Sequence, residues 1–508
     1  MSNQAKFDSL RETFESFCYE GFHYSVENGE FCAKFDFILT PCHFDRSEAS
    51  TFRHFDRSEA STSRHFDRSE AEWRNLKQSV EFHPNFRIPA RSFYHWDSIP
   101  KPLLDNLVFH IGMIELISYW KIACTKKVVI KPFALDEEQI HWWKKLYFNG
   151  LGEFFYVNGI ETNIDEFMHI ESEISPLPAV GRNDGTQVSF RPERSGVEKS
   201  PAHRDLLTEQ TLIPVGGGKD SVVTLELLKN RVPAIPLIIN PRGATNECIA
   251  AAGFNEEQTA IIKRTLDPTM LKMNAEGYLN GHTPFSALLA FYTILLGFAT
   301  KSKYIALSNE SSANEPTVPD TEINHQYSKS VAFENDFRHY VAKYIDADIQ
   351  YFSFLRPLNE LQIAKLFSRA KDYHRVFKSC NAGSKTDSWC GKCPKCLFTW
   401  LALSPFIPRT ELAAIFGKDL LSDNNLRPIL DQLDGSVDVK PFECVGTVGE
   451  VRACVNNILQ HDENLKDTIL EGVEKTDDKT VADYISEFDE GNNLPELFKN
   501  ILKEALHA

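Results

Sequence analysis

The sequence has no long apolar run. Its most hydrophobic stretch is Phe285–Ala299 (FSALLAFYTILLGFA), well short of the roughly 20 residues that span a bilayer as a helix. That length predicts a buried helix and no membrane span. Positive charge is in deficit: Lys and Arg number 55 against 71 Asp and Glu, a net charge of -16. A surface of that sign does not steer nucleic acid over long range, so nucleic acid is left out of the expected partners. Residues 1–20 are polar and charged and lack the apolar core of a secretory signal. The 11 cysteines are an odd number and mostly scattered, which argues against a disulfide scaffold and for a reducing compartment. These absences predict a cytoplasmic protein. Composition is otherwise that of a globular chain, 42% hydrophobic and 25% charged in 508 residues, enough for several domains at about 150 residues each.

Residues 7–40 alternate in the manner of strands and carry Asn28-Gly29, a hairpin turn signal. Three copies of HFDRSEA follow, starting at His43, His54 and His65. Each copy is polar with one Phe to bury, so the repeats read as a duplicated surface insertion at about 42–74 rather than a solenoid. Strand-like text resumes at Ser79–Ile88; Leu107–Tyr119 has helical spacing, and Lys127–Lys131 is a short strand. A polar, Gly- and Pro-containing stretch at 178–204 reads as a second insertion or a linker. From Leu212 strands and helices alternate, the rhythm of a parallel sheet. Residues from 407 read as helical and acidic, with no evident site. The expected organisation is an α/β protein. It has a β-rich N-terminal α+β domain (1–177), the linker (178–204), a parallel-sheet nucleotide domain (205–406) and a helical C-terminal region (407–508).

Chemistry concentrates at Gly216-Gly217-Gly218-Lys219-Asp220-Ser221, between an apolar strand and a helix. Glycines let a phosphate approach main-chain N–H groups, and a helix N-terminus adds unpaired donors and a positive dipole end. Lys219 brings a cation and Ser221 a hydroxyl. The spacing is not that of a Walker A loop, which needs four residues between its first Gly and Gly-Lys. A second cluster, Cys380, Cys390, Cys393 and Cys396, has the tight Cys-x2-Cys turns that bring thiolates onto one ion. It predicts a closed structural zinc site; reduced thiols and an iron–sulfur cluster are the alternatives.

The string GGGKDS resembles the S-G-G-x-D-S signature of the PP-loop ATP pyrophosphatases, with Gly216 standing where that family usually has Ser. The resemblance implies cleavage of ATP between its α and β phosphates, adenylation of a substrate oxygen, and magnesium on the leaving pyrophosphate. It makes Gly216, Gly217, Gly218, Lys219, Asp220 and Ser221 the ATP-binding residues. Pro236–Asn240 falls where that family places a strand edge near adenosine, which adds Asn240. Arg356-Pro357-Leu358 resembles a later R-P-L segment, which adds Arg356 as a phosphate contact or, alternatively, a structural arginine.

Three further segments resemble the UDP-N-acetylmuramoyl-L-alanyl-L-glutamate epimerase (MurL) family: Asn106–Lys121, Ser308–Ser330 and Cys390–Phe406. That family inverts the terminal L-glutamate of a UDP-linked muramoyl dipeptide in peptidoglycan precursor synthesis, consuming ATP to AMP and diphosphate. The implied route activates the glutamate carboxylate as an acyl-adenylate, so that general acid–base groups can exchange the α proton. Lys219 and Asp220 are then catalytic candidates. Ser308–Ser330 supplies the polar candidates Glu310, Asn314, Glu315, His325, Tyr327 and Lys329, with Glu310 and His325 foremost. Two other readings stand beside it. One is an enzyme like 7-cyano-7-deazaguanine synthase, which pairs a PP-loop with a late cysteine site in a much shorter chain. The other is a nucleotide-binding protein without turnover.

Overall fold

The computed structural model describes residues 2–42, 78–172, 206–318, 321–345, 348–383 and 386–507. The HFDRSEA repeats and the 178–204 stretch lie outside the described residues. The strands are β1 (Phe14–Glu27), β2 (Glu30–Pro41), β3 (Val80–Phe82), β4 (Asn85–Ile88), β5 (Lys127–Ile130), β6 (His169–Ser172), β7 (Thr208–Pro214), β8 (Ala234–Ile239), β9 (Ala260–Thr265), β10 (Ser302–Leu307) and β11 (Gln350–Ser353). They form one 11-stranded sheet in the order β11-β10-β7-β8-β9-β4-β2-β1-β5-β6, with β3 on β2.

β1 and β2 form the hairpin expected at Asn28-Gly29, whose φ angles of 51° and 78° give the two left-handed positions of a tight primed turn. The strand expected at Ser79–Ile88 is divided into β3 and β4. Pro84 stands between them and has no N–H to continue a ladder. β4 then pairs antiparallel with β9, Phe86 opposite Arg264. This junction joins the N-terminal hairpin to the parallel half, and one apolar core runs beneath both, from Phe7 to Tyr351. Phe285–Ala299 is a helix in that core, as its composition predicts, beside the helix Lys101–Trp120.

The parallel half explains the placement of the site. β7, β8 and β9 run outward in sequence; the chain then crosses back to lay β10 and β11 on the other side of β7. Strand order therefore reverses between β7 and β10, which leaves a crevice at their carboxyl ends where open α/β sheets bind ligands. The strands are apolar because helices cover both faces. Ile213, Ile238, Ala306 and Phe352 face a second core that runs to Ala505 and takes in the C-terminal helices. Those helices are Arg409–Phe416, Arg427–Leu433, Val448–His461, Val481–Ile485 and Glu496–His507. No described helix is long and apolar enough to cross a membrane.

Candidate active site

β7 ends at Pro214 and β10 at Leu307, the two edges of the crevice. Gly216–Gly218 make the turn from β7 into the helix Lys219–Leu228, so the first-turn N–H groups open into that crevice. Gly217 has φ +82°, and a Cβ there would lie 3.2 Å from the Ala244 and Thr245 backbone. At Gly218 a Cβ would meet Ser379 Oγ at 2.9 Å, whereas at Gly216 it would meet nothing within 4 Å. On the facing edge, Ser308 Oγ is buried without a hydrogen-bond partner. An orphaned polar atom at this place fits a polar ligand.

Lys219 is 2% exposed, and its ammonium hydrogen-bonds the carboxylates of Asp220 and Glu360. Burial favours the neutral amine, but Asp220 and Glu360 outweigh it and hold the charge. Burial also lifts the Glu360 carboxyl, against the pull of Lys219, while Asp220 is drawn below the usual carboxylate range by Lys219, then Lys395 and Lys329, despite its burial. Glu360 begins a helix, and its N–H donates to Glu450 Oε1 at 2.7 Å. Glu310 is 5% exposed and accepts from Ser312 Oγ at 3.2 Å. Asp220, Glu310, Glu360 and Glu450 thus gather around the cations Lys219 and Lys329 at the mouth of the loop.

Lys329 extends this network. Its ammonium lies 3.0 Å from Cys444 Sγ and 3.4 Å from Gln326 Oε1. Burial would raise the Cys444 thiol, but Lys329, Lys395 and the His325 ring outweigh it and bring the thiol well below its ordinary range. His325 hydrogen-bonds Glu153, whose same oxygen lies 3.2 Å from His282 Nδ1. Burial opposes a charged His325, yet Cys444 and Glu153 lift it to about 9. His282 is lowered to about 4 by burial and then by His325.

The remaining sequence candidates make the following contacts. Both Asn240 side-chain atoms are taken by the Arg264 backbone, at 3.1 and 2.8 Å, which ties the end of β8 to β9. The Ser221 hydroxyl donates to the Gly218 carbonyl at 3.0 Å. Arg356 is fully buried and donates to the carbonyls of Glu310 (2.5 Å) and Lys329. These bonds pin the backbone beneath two site residues, while the Arg356 Nε is buried without a partner. Asn314 caps the N–H of Val331 at 2.8 Å, and Glu315 pairs with Lys440.

Glu360, Glu450, Cys444, Glu153 and His282 were not singled out in the sequence. Cys444 stands alone between Glu443 and Val445, and no spacing marks it. The sequence past 407 shows no evident site; packing of the C-terminal region onto the parallel half places Cys444 beside Lys329 and Glu450 beside Glu360.

The four clustered cysteines converge. Sγ–Sγ separations are 3.7 Å for Cys380–Cys393, 3.7 Å for Cys390–Cys396 and 3.5 Å for Cys393–Cys396. These exceed a disulfide and match the edge of a sulfur tetrahedron around an ion at about 2.3 Å. All four sulfurs lie within 4.8 Å of one another, an arrangement able to hold a metal ion.

The model of the MurL N-terminal domain matches residues 43–354, and that of the MurL C-terminal domain matches residues 376–487. The chain belongs to the MurL family. Between them the two MurL matches take in the glycine loop, Glu310, His325, the cysteine cluster and Cys444. A protein of Xanthomonas oryzae pv. oryzae (strain MAFF 311018) is 32% identical over 369 residues, covering 71% of this chain and 76% of the relative. Others from Salinispora tropica and Micromonospora sp. are each 34% identical, over 68% and 71% of the chain and 72% and 76% of their own lengths. All three are named UDP-N-acetyl-alpha-D-muramoyl-L-alanyl-L-glutamate epimerase.

Proposed function

We propose that this MurL-family chain epimerises the terminal L-glutamate of UDP-N-acetylmuramoyl-L-alanyl-L-glutamate to D-glutamate, in the cytoplasm, driven by ATP cleavage to AMP and diphosphate. The observation that carries the ATP step is the glycine loop and helix N-terminus opening into the β7/β10 crevice, with the buried cation Lys219 at its mouth.

A free carboxylate makes its neighbouring Cα–H a very weak acid. In the proposed route a glutamate carboxylate oxygen attacks the α phosphorus of ATP, and diphosphate leaves toward the loop N–H groups and Lys219. Adenylation, which makes the carboxylate a mixed anhydride, removes its negative charge, so the carbonyl can accept the electron pair of the departing α proton. Reprotonation from the other face inverts the centre, and water cleaves the acyl-adenylate to release product and AMP. Asp220 and Glu310 are oxygen donors of the kind magnesium takes alongside phosphate, where it offsets phosphate charge. Cys380, Cys390, Cys393 and Cys396 fit a structural zinc. Four protein ligands close its coordination sphere, so its place is to hold the segment that leads into the buried helix Pro394–Leu403.

The UDP-muramoyl part of the substrate needs a surface beyond the reacting centre. A groove of about 500 Å³ is lined by Phe148, Phe155, Tyr156, Glu322 and Ile323. It adjoins the centre: Tyr156 packs on Phe442 at 5.3 Å, two residues before Cys444, and Glu153 on the same helix touches His325.

The deciding assay combines the purified protein, ATP, magnesium and the UDP-linked L-glutamyl substrate in D2O. AMP, diphosphate, D-glutamate and deuterium at Cα are expected together. Diphosphate release with 7-carboxy-7-deazaguanine and ammonia instead would overturn the proposal, as would nucleotide binding with no turnover. Asp220→Ala should abolish AMP formation.

A further inference from the structure

We infer that Cys444 is the group that takes the α proton from the activated L-glutamyl residue, with the Lys329 ammonium placed against its sulfur. The inference rests on the epimerase reading above and names the residue that reading leaves open.

Position comes first. Lys329 bridges two places: its ammonium is 3.0 Å from the Cys444 sulfur, and its backbone is held beside that of Glu310 by Arg356, whose guanidinium donates to both carbonyls. A sulfur beside that ammonium is therefore next to where an adenylated carboxylate would sit. The groups facing the sulfur are Lys329 from the crevice segment, His325 from the same segment, and Lys395 from the helix Pro394–Leu403. All three carry or can carry positive charge.

The neighbours are committed elsewhere. Asp220 is bound to Lys219, and His325 has Glu153. Glu310 accepts from Ser312, and the Glu360 carboxylate accepts from the Lys219 ammonium. A packing role does not account for Cys444 either. Cys444 and Lys329 are both partly exposed, and an ion pair open to water adds only about 0–1 kcal/mol to stability. Other thiols of the chain show the ordinary pattern: burial pushes Cys124, Cys248 and Cys454 up.

The step is a proton transfer. The Cα–H bond breaks and an S–H bond forms at Cys444. The C–H electron pair moves into the carbonyl of the acyl-adenylate as an enolate. A proton delivered from the opposite face then completes the D centre, and the thiol loses its proton to solvent before the next cycle. General acid–base groups of this kind contribute about 10²–10⁴-fold.

Two readouts test it on the intact protein. ATP–diphosphate exchange reports adenylation, and deuterium uptake at Cα in D2O reports proton removal. Cys444→Ala should keep ATP–diphosphate exchange within a few-fold. It should lose deuterium uptake from the L-epimer by about 100-fold or more, while uptake from the D-epimer, which needs a base on the other face, falls much less. A structural cysteine would not split the two epimers. Uptake from the L-epimer at the wild-type rate, or equal loss of every readout, overturns the inference. If the variant does not fold, wild-type protein treated with methyl methanethiosulfonate, with modification mapped to Cys444, serves instead. The same split, reversed by dithiothreitol, is expected; parallel loss of adenylation and uptake overturns it. Wild-type protein that shows no ATP–diphosphate exchange with the substrate overturns the epimerase reading itself.

Discussion

The Arg264 guanidinium meets the Glu115 carboxylate along both edges, Nε to Oε1 at 2.5 Å and Nη2 to Oε2 at 2.6 Å. Glu115 is 1% exposed and also accepts from Tyr292 at 3.3 Å. The pair ties β9, at the junction with β4, to the helix Lys101–Trp120. Removing one partner leaves a buried charge without compensation. Glu115→Ala should therefore lower unfolding stability by about 3–5 kcal/mol, read from the urea midpoint. Glu115→Leu combined with Arg264→Met should recover most of that loss. A single variant within about 1 kcal/mol of wild type would mean that the pair has no structural weight.

Acid sensitivity follows from His110. It is fully buried; its Nδ1–H donates to the Asn106 carbonyl at 2.7 Å and its Nε2 accepts from the Tyr340 hydroxyl at 2.9 Å. Burial lowers it to about 4 from 6.5. Between those values the unfolded chain holds the proton and the folded chain does not, so stability falls as pH falls through that window. His282 has the same sign, whereas His325, lifted to about 9, contributes stability below 6.5 that is lost as pH rises through 9. Urea unfolding at pH 7 and pH 5 should show the acid loss, and His110→Gln should shrink it by about 2 kcal/mol. An unchanged difference would remove His110 from the account.

The three loop glycines should respond differently. A side chain at Gly216 meets open space, so Gly216→Ser, which restores the residue usual at this place in PP-loop sequences, should keep activity within a few-fold. Gly217→Ala must hold φ +82° and press on backbone at 3.2 Å. The left-handed conformation alone costs about 1–2 kcal/mol, and AMP formation should fall with the loop distorted. Equal tolerance at both positions would contradict the loop geometry.

The features of the fold and candidate site that were legible in the sequence are those confined to short stretches. The glycine loop, the Asn28-Gly29 turn, the buried helix Phe285–Ala299 and the cysteine cluster each carry their physics locally. What was illegible depends on tertiary packing. Glu360 and Glu450 look like ordinary helix-start acids, and both do cap or begin helices; only the second core brings Glu360 to Lys219 and Glu450 to Glu360. Arg356 had two readings in the sequence, a phosphate contact or a structural arginine. Its R-P-L context suggests phosphate, but Glu310 and Lys329 offer it carbonyls inside the protein. Cys444 has no motif at all, and its meaning comes from Lys329, which lies far away in sequence.

Metal removal tests the cysteine cluster. One zinc per chain is expected by metal analysis of purified protein, lost in Cys393→Ala. Cys396 and its neighbours Leu397, Trp400 and Leu401 are buried in the second core, so release of the cluster should propagate into the C-terminal helices. A fall in the thermal midpoint on chelation, together with lost AMP formation, is expected. Full zinc content in Cys393→Ala would contradict the four-sulfur site.

The groove beside the centre gives a kinetic prediction. Tyr156 is 42% exposed and lines the groove with Phe148 and Ile323, while its ring rests on Phe442. It lies on the helix that carries Glu153, yet has no described contact with the loop or with Lys329. Interactions with a remote part of the substrate that are equal in ground and transition states change KM and leave kcat alone. Tyr156→Ala should therefore raise KM for the UDP-linked substrate by about 10-fold, the loss of one aromatic contact of roughly 1–2 kcal/mol. It should leave kcat and the KM for ATP near wild type. A fall in kcat with KM unchanged would place Tyr156 in the support of the His325–Glu153 pair instead, and the UDP-muramoyl part would then need another surface.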